Sequence, residues 1–173
     1  MTDIKEQEEI ESITKDYISI GKFIATFSQM EFVIRLILFV LLRIKNEHFS
    51  AVIGPYDFAM LCTVMIKIMQ HEFPEKKGEI EKVFSQCRAL NDHRVRIAHG
   101  LWTGEAHGLT ARHFSRSSLE IKIHYQNSDE LQKLTQTAEH VKSKVLALCC
   151  PAVAPILEKE RRSQRRKKTA STS

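Results

Sequence analysis

The sequence predicts a mainly α fold, a helical bundle with one short β-hairpin before the last helix. Three observations carry this. Only six glycines and four prolines punctuate 173 residues, which favours long regular elements. Apolar residues in the N-terminal third recur three and four apart, the period of an α-helix. Between Leu101 and Gln126 the period changes to two, the mark of strands. At 43% hydrophobic and 27% charged, the chain can bury a core, and its length fits one domain with a tail.

Residues 3 to 15 are acidic and polar and suggest at most a short first helix. A long helix is predicted from about Asp16 to Lys45, with Ile20, Ile24, Phe27, Ile34, Leu38 and Leu41 along one line. Phe23, Met30, Ile37 and Val40 cover another side, so this helix is expected to be buried over most of its circumference. Gly54-Pro55 breaks the chain, and a helix from Pro55 to about Gln70 follows. Pro74 opens the next helix, with Glu75 near its positive end. Its apolar line is Ile80, Val83, Phe84, Cys87, Leu90 and Ile97, and Gly100 marks its end near His99.

"LTARHF" and "LEIKIHY" then alternate as a hairpin, with Ser115 to Ser118 between them. Asn127-Ser128-Asp129-Glu130 resembles a helix N-terminus. The last helix is expected to stop by Cys149, before Pro151. Residues 1–157 therefore read as the helical domain. Residues 158–173, "EKERRSQRRKKTASTS", have no apolar face and are expected to form a basic tail that is disordered in isolation.

That tail explains the charge. Lys159, Arg161, Arg162, Arg165, Arg166, Lys167 and Lys168 against Glu158 and Glu160 account for the whole formal net charge of +5. The rest of the chain is formally neutral, so the alkaline isoelectric point describes the tail rather than the folded surface. The tail suits an electrostatic, salt-sensitive contact with RNA or DNA, or a solubilising or partner-docking role. Cys62, Cys87, Cys149 and Cys150 form no C-x-x-C pair, and the N-terminus has no signal-peptide pattern, so reduced thiols and a cytoplasmic location are expected. "FVIRLILFVLL", Phe32 to Leu42, is too short to span a bilayer and carries Arg35, so no membrane role is expected.

Two charges stand on apolar lines. The line through Leu90 and Ile97 passes through Arg94, and the three-four series of the long helix passes through Glu31. A guanidinium on a core-facing line needs a partner or a wet cleft. Glu31 and Arg94 are therefore expected to approach each other, either as a structural pair or with Glu31 orienting the arginine for a site. His99 follows Arg94 by five residues, about 7.5 Å along a helix rising ~1.5 Å per residue. A histidine beside a fixed arginine is the equipment for proton transfer next to a phosphate, and neither is a hard-metal ligand. Any phosphodiester chemistry built on this pair is expected to be metal-independent, with no cofactor.

Spacing alone does not choose this pair. Arg43/His48, Arg88/His93 and Arg94/His99 share it, and only Arg94/His99 combines an arginine on the apolar line with a histidine before a glycine stop. Here "LNDHRVRIAHG" resembles the signature of HEPN-superfamily domains, written R-x(4–6)-H and often seen as "RNxxAHG". "GKFIATFSQMEFVIRLILFVLL" is similar to the long first helix of many such domains, including its hydrophobic-Glu segment. A hairpin followed by a last helix fits a subset of them, so the resemblance covers roughly residues 17 to 149.

The resemblance implies a four- to five-helix bundle that forms a homodimer, with two motifs lining one cleft. It implies a metal-independent endoribonuclease acting on RNA in toxin–antitoxin or anti-phage defence, with an antitoxin or defence-system protein as partner. His99 would be the general base or acid, Arg94 would hold the phosphate, and Glu31 would orient Arg94. The chain departs from the family at Val95, where Asn, Asp or His usually follows the arginine; His93 or Arg96 are the nearest polar substitutes. The alternative is a non-catalytic HEPN-like module that binds nucleic acid, a nucleotide or a protein. Trp102 either stacks a base or caps the bundle beside the hairpin. With His93, Arg96, Arg161, Arg162, Arg165, Arg166, Lys167 and Lys168, it completes the candidate nucleic-acid contacts.

Overall fold

The computed structural model describes residues 2–105, 108–114, 121–125 and 128–170. Among the described residues there are five α-helices: α1 (Thr2–Leu41), α2 (Phe49–Val52), α3 (Phe58–Glu72), α4 (Lys77–His99) and α5 (Ser128–Ala170). Short 3-10 turns at Asn46–His48 and Pro74–Lys76 lead into α2 and α4. The three strands are β1 (Leu101–Glu105), β2 (Gly108–Phe114) and β3 (Ile121–Tyr125). The fold is mainly α, and the expected hairpin is β2–β3, placed before the last helix. β1 adds a further strand, giving an antiparallel sheet in the order β1-β2-β3. Ser115 to Ser118 and Asn127 lie outside the described residues.

The chain divides into two compact units, Met1–Met30 with Gln86–Val141 and Glu31–Ser85 with Lys142–Ser173. In the first, the core holds Phe23, Phe27 and Met30 of α1, Cys87, Leu90 and Ile97 of α4, Leu109 and Ala111 of β2, Tyr125 of β3, and Leu131 and Ala138 of α5. Asp16 is buried in this unit, where its Oδ2 accepts the Leu109 backbone N–H at 2.7 Å and ties α1 to the start of β2. A buried carboxylate needs such a donor, because burial without one costs heavily.

In the second unit the core holds Ile34, Ile37 and Leu38 of α1, Leu61, Cys62, Met65 and Met69 of α3, Ile80, Val83 and Phe84 of α4, and Val145, Leu148 and Cys149 of α5, with Ile53 from the loop after α2. Arg35 anchors that loop. Its Nη1 donates to the Ile53 carbonyl at 2.9 Å and its Nη2 to the Tyr56 carbonyl at 2.8 Å. α3 starts at Phe58 rather than at Pro55, because Asp57 supplies the N-cap: its Oδ1 accepts Met60 N–H at 2.7 Å.

Two helices differ from expectation in length. α1 begins at Thr2 and runs unbroken, so the polar N-terminal residues continue the long helix instead of forming a separate one. No glycine or proline stands before Gly21 to interrupt it. Nor is α1 buried over most of its circumference: Ile10, Tyr17, Ile18, Phe32 and Leu36 are exposed, and Ile20 and Ile24 are only half-buried. α5 passes through Pro151 and Pro155 and continues to Ala170. The two prolines are four apart, share one exposed face, and lack the N–H groups that would meet the Ala147 and Pro151 carbonyls. Past Leu157 the helix continues into the basic residues as far as Ala170, with Arg162 Nε donating to Glu158 Oε1 at 2.8 Å.

By length and composition, α1 over Gln7–Leu41 and α5 over Ser128–Ser163 are each long and apolar enough to cross a membrane, a test that the core helix of a soluble protein also meets. The short run "FVIRLILFVLL" understates this, because it is part of a longer apolar helix.

Candidate functional site at the end of α4

The candidate site begins where α4 stops. Ile80, Val83, Phe84, Cys87, Leu90 and Ile97 are all buried, as their spacing predicts. Arg94 stands on the same line but is half-buried. Within its unit, and among the described residues, Arg94 makes no side-chain hydrogen bond or ion pair. α4 ends at His99, and Gly100 N–H donates to the Arg96 carbonyl at 2.8 Å. A Cβ at Gly100 would lie 2.6 Å from that same oxygen, so a glycine is what lets the chain turn straight into β1. Arg96 and His99 occupy the last turn, at the negative pole of the helix, where cationic groups are favoured.

The sheet builds the other wall of this region. Trp102 pairs in register with Ala111, and Ala111 with Tyr125, so the two large rings flank one small residue across three strands. The Trp102 and Tyr125 rings therefore stack, with centroids 6.1 Å apart and planes 14° apart. Trp102 Nε1–H donates to the Ile97 carbonyl of α4 at 3.0 Å. The Tyr125 hydroxyl lies 2.6 Å from His93 Nδ1. Burial pushes the Tyr125 phenol up to about 12; Arg96 nearby pulls it down and Glu130 adds to the rise. The phenol therefore keeps its proton at neutral pH. When it donates that proton to Nδ1, the neutral His93 imidazole carries its own on Nε2.

Of the residues singled out in the sequence, His93, Arg94, Arg96, His99 and Trp102 gather at this junction of α4 and the sheet. His99 is exposed, and so is Val95, at 38%. Five residues along a helix turn the side-chain direction by about 140°, so Arg94 and His99 of one copy leave α4 on different faces. Glu31 belongs to the second unit, and its partner there is Arg35, on its own helix one turn on. Arg35 donates to Glu31 Oε1 from Nη2 at 2.7 Å and from Nε at 3.1 Å. Glu31 and Arg35, four residues apart on one helix, form a natural helical pair. Arg161 and Arg162 are exposed on α5 in the second unit; the side chains of Arg165, Arg166, Lys167 and Lys168 lie outside those described.

Sequence reasoning misses Tyr125 and Arg35. Tyr125 ends the alternating stretch "IKIHY", and only the strand register shows that it meets Trp102 and His93. The Glu31–Arg35 spacing is a readable signal. Among the described residues no three His, Cys, Asp or Glu side chains gather as a metal-binding group. In comparisons with known proteins, no family model, no curated protein and no solved structure matches this chain.

Proposed function

We propose that this chain is a HEPN-like, metal-independent endoribonuclease that acts in the cytoplasm as a homodimer, in toxin–antitoxin or anti-phage defence. One observation carries the reading: a half-buried arginine on the apolar line of α4, without a partner in its own unit among the described residues, stands five residues before an exposed histidine at a glycine-closed helix end. An arginine so placed needs a partner or water for its N–H groups, and a bound phosphate is a partner that fits them.

The divergence of Arg94 and His99 favours two copies over one. Two α4 ends facing each other present two arginines and two histidines to one RNA strand. In the reaction, the ribose 2′-oxygen attacks the adjacent phosphorus while one His99 takes its proton. Arg94 holds the phosphate and stabilises the charge developing on its oxygens. The bond from phosphorus to the 5′-oxygen breaks, and the other His99 supplies that oxygen with a proton. The products are a 2′,3′-cyclic phosphate and a 5′-hydroxyl. Exposed Arg161 and Arg162, with the basic residues after them, add sequence-independent attraction for RNA. In this reading Glu31 serves the fold through Arg35.

Purified protein is expected to cut RNA in the presence of EDTA and leave 2′,3′-cyclic phosphate ends. Arg94→Ala and His99→Ala each abolish cleavage while the circular dichroism spectrum and the mass in solution stay unchanged. Cleavage that survives both substitutions sinks the assignment. The second reading, a non-catalytic RNA-binding module, is favoured by Val95, an exposed apolar residue next to the arginine. It is supported by a protein that binds RNA with Arg94-dependent affinity and never yields cyclic-phosphate ends.

A further inference from the structure

The first Arg-x4-His pair of the sequence, Arg43/His48, leads to a second site. α1 closes with Arg43 N–H donating to the Val40 carbonyl at 3.1 Å and Ile44 N–H to the Phe39 carbonyl at 3.3 Å. That pair of bonds requires a left-handed residue at position 43, a place that glycine usually takes. Arg43 holds it with φ at 51°, and among the described residues it is the one non-glycine with positive φ. A long cationic side chain in a glycine position is strained, and nothing in the helix ending asks for it.

What lies beside the arginine supplies the reason. Two cavities, of about 350 Å³ and about 230 Å³, have Arg43 and Ile156 as shared walls. Both lie wholly within the second unit. The larger is walled by Leu41, Ile68, Phe73 and Pro155 and has the size of a small-molecule site. Arg43 is exposed and makes no side-chain hydrogen bond or ion pair within its unit among the described residues, so its guanidinium is available to a ligand in a cavity that has mostly apolar side chains as walls. Glu72, the last residue of α3, also lines the larger cavity, beside the negative pole of that helix. The larger cavity is thus formally neutral, and the smaller adds Lys159 and Glu160, which cancel; an anion has to sit on Arg43 and away from Glu72, which disfavours a second negative charge.

We propose that this groove binds a small amphipathic monocarboxylate, with the carboxylate on Arg43 and the aliphatic or aromatic body against Leu41, Ile68, Phe73 and Ile156. The site is independent of the ribonuclease reading. Arg43 forks two N–H groups onto the carboxylate, and the groove takes the apolar body out of water.

Calorimetric titration of the full chain with decanoate and with decanol, both below micellar concentration, tests it. Decanoate binds, and decanol binds at least tenfold more weakly. Arg43→Gly relieves the backbone, raises the ligand-free melting temperature by a few degrees, and weakens decanoate at least tenfold. Ile156→Trp, which fills the shared wall with Arg43 in place, also weakens decanoate. The proposal is overturned if decanoate does not bind, if decanol binds as well as decanoate, or if Arg43→Gly binds decanoate unchanged. It is equally overturned if Arg43→Gly melts lower than wild type, because Arg43 then serves the fold.

Discussion

Arg35 Nη2 sits 2.7 Å from Glu31 Oε1 and, from the same guanidinium, Arg35 reaches the carbonyls of Ile53 and Tyr56. The carboxylate steadies the guanidinium, and the guanidinium holds the loop. Glu31 and Arg35 side chains are 28% and 20% exposed, so the ion pair itself is screened and worth about 0.5–1 kcal/mol. The two bonds from a charged donor to loop carbonyls are worth more, at most about 1.5–3 kcal/mol each and less where the guanidinium stays partly exposed. Arg35→Ala is therefore expected to cost about 2–4 kcal/mol and Glu31→Ala about 1 kcal/mol. Urea denaturation of both variants checks the ranking. Equal small losses would show that the loop does not depend on Arg35.

Tyr125 makes the fold alkali-sensitive. Its phenol titrates at about 12 in the folded chain, chiefly because it is buried, against 10 for an ordinary tyrosine. The folded state then holds a proton that the unfolded state has lost, so stability is fully present below pH 10 and falls as pH rises towards 12. Tyr125→Phe is expected to remove this part of the alkaline loss, while also releasing His93 Nδ1 from its partner. Ultraviolet titration of tyrosinate separates the effects: the wild type minus Tyr125→Phe difference should titrate near 12. A difference curve centred near 10 would contradict the buried phenol.

The neighbouring cysteines should differ sharply in reactivity. Cys150 is exposed, whereas Cys62, Cys87 and Cys149 are buried. Burial, with a smaller push from Cys150, raises the Cys149 thiol to about 12, so it carries almost no thiolate at neutral pH. A thiol-disulfide reagent under mildly alkaline conditions is expected to label one cysteine per native chain rapidly and all four in denaturant. Cys150→Ser should remove the rapid phase. A second rapid thiol that persists in Cys150→Ser and is lost on Cys149→Ser would place Cys149 at the surface.

The helical periods make the class of fold readable, because three-and-four spacing survives any rearrangement of loops. The α4 line of Ile80, Val83, Phe84, Cys87, Leu90 and Ile97 is buried at each of these positions. Lengths are less readable. Pro151 looks like a terminus in a sequence, yet a proline costs only the hydrogen bond that it removes and a local adjustment when its face is open to water. Glu31 and Arg94 both stand out as charges on apolar lines, but a line on one helix says nothing about which partner arrives. Arg35, four residues on, is the nearer candidate. Tyr125 is hidden for a different reason: its neighbours are set by strand register, which includes a shift at Ala111/Arg112 that no alternation pattern announces.

Gly100 couples the motif to the sheet. An alanine Cβ there would stand 2.6 Å from the Arg96 carbonyl oxygen, and 3.7 and 3.8 Å from Arg112 O and Ala111 Cβ. The first contact is with backbone and cannot be relieved by a rotamer, so the last turn of α4 or the start of β1 must shift. Gly100→Ala is expected to destabilise by about 1–3 kcal/mol. If His99 is catalytic, the same variant should lose cleavage out of proportion to its loss of folded protein. Thermal melts beside cleavage rates normalised to the folded fraction measure both.

Val95 offers the test that separates the two functional readings. Its side chain is 38% exposed on the outer face of α4, so Val95→Asn neither opens a cavity nor strands a polar group. Valine and asparagine have similar helix propensities, and the melting temperature should move by no more than about 0.5 kcal/mol of stability allows. Any gain in cleavage is then chemical. If the proposed reaction is correct and the missing polar group limits it, Val95→Asn should raise the cleavage rate roughly tenfold, less than a positioned acid or base supplies, because an amide orients without transferring a proton. A wild type that binds RNA without cutting it, joined to a Val95→Asn variant that yields cyclic-phosphate ends, would mark the natural chain as a binding module with the catalytic frame intact. An active wild type unmoved by the substitution would mean that His93 or Arg96 already supplies the polar contact. The double variants His93→Ala/Val95→Asn and Arg96→Ala/Val95→Asn then decide between them, because the introduced asparagine should matter only where the supplying residue has been lost.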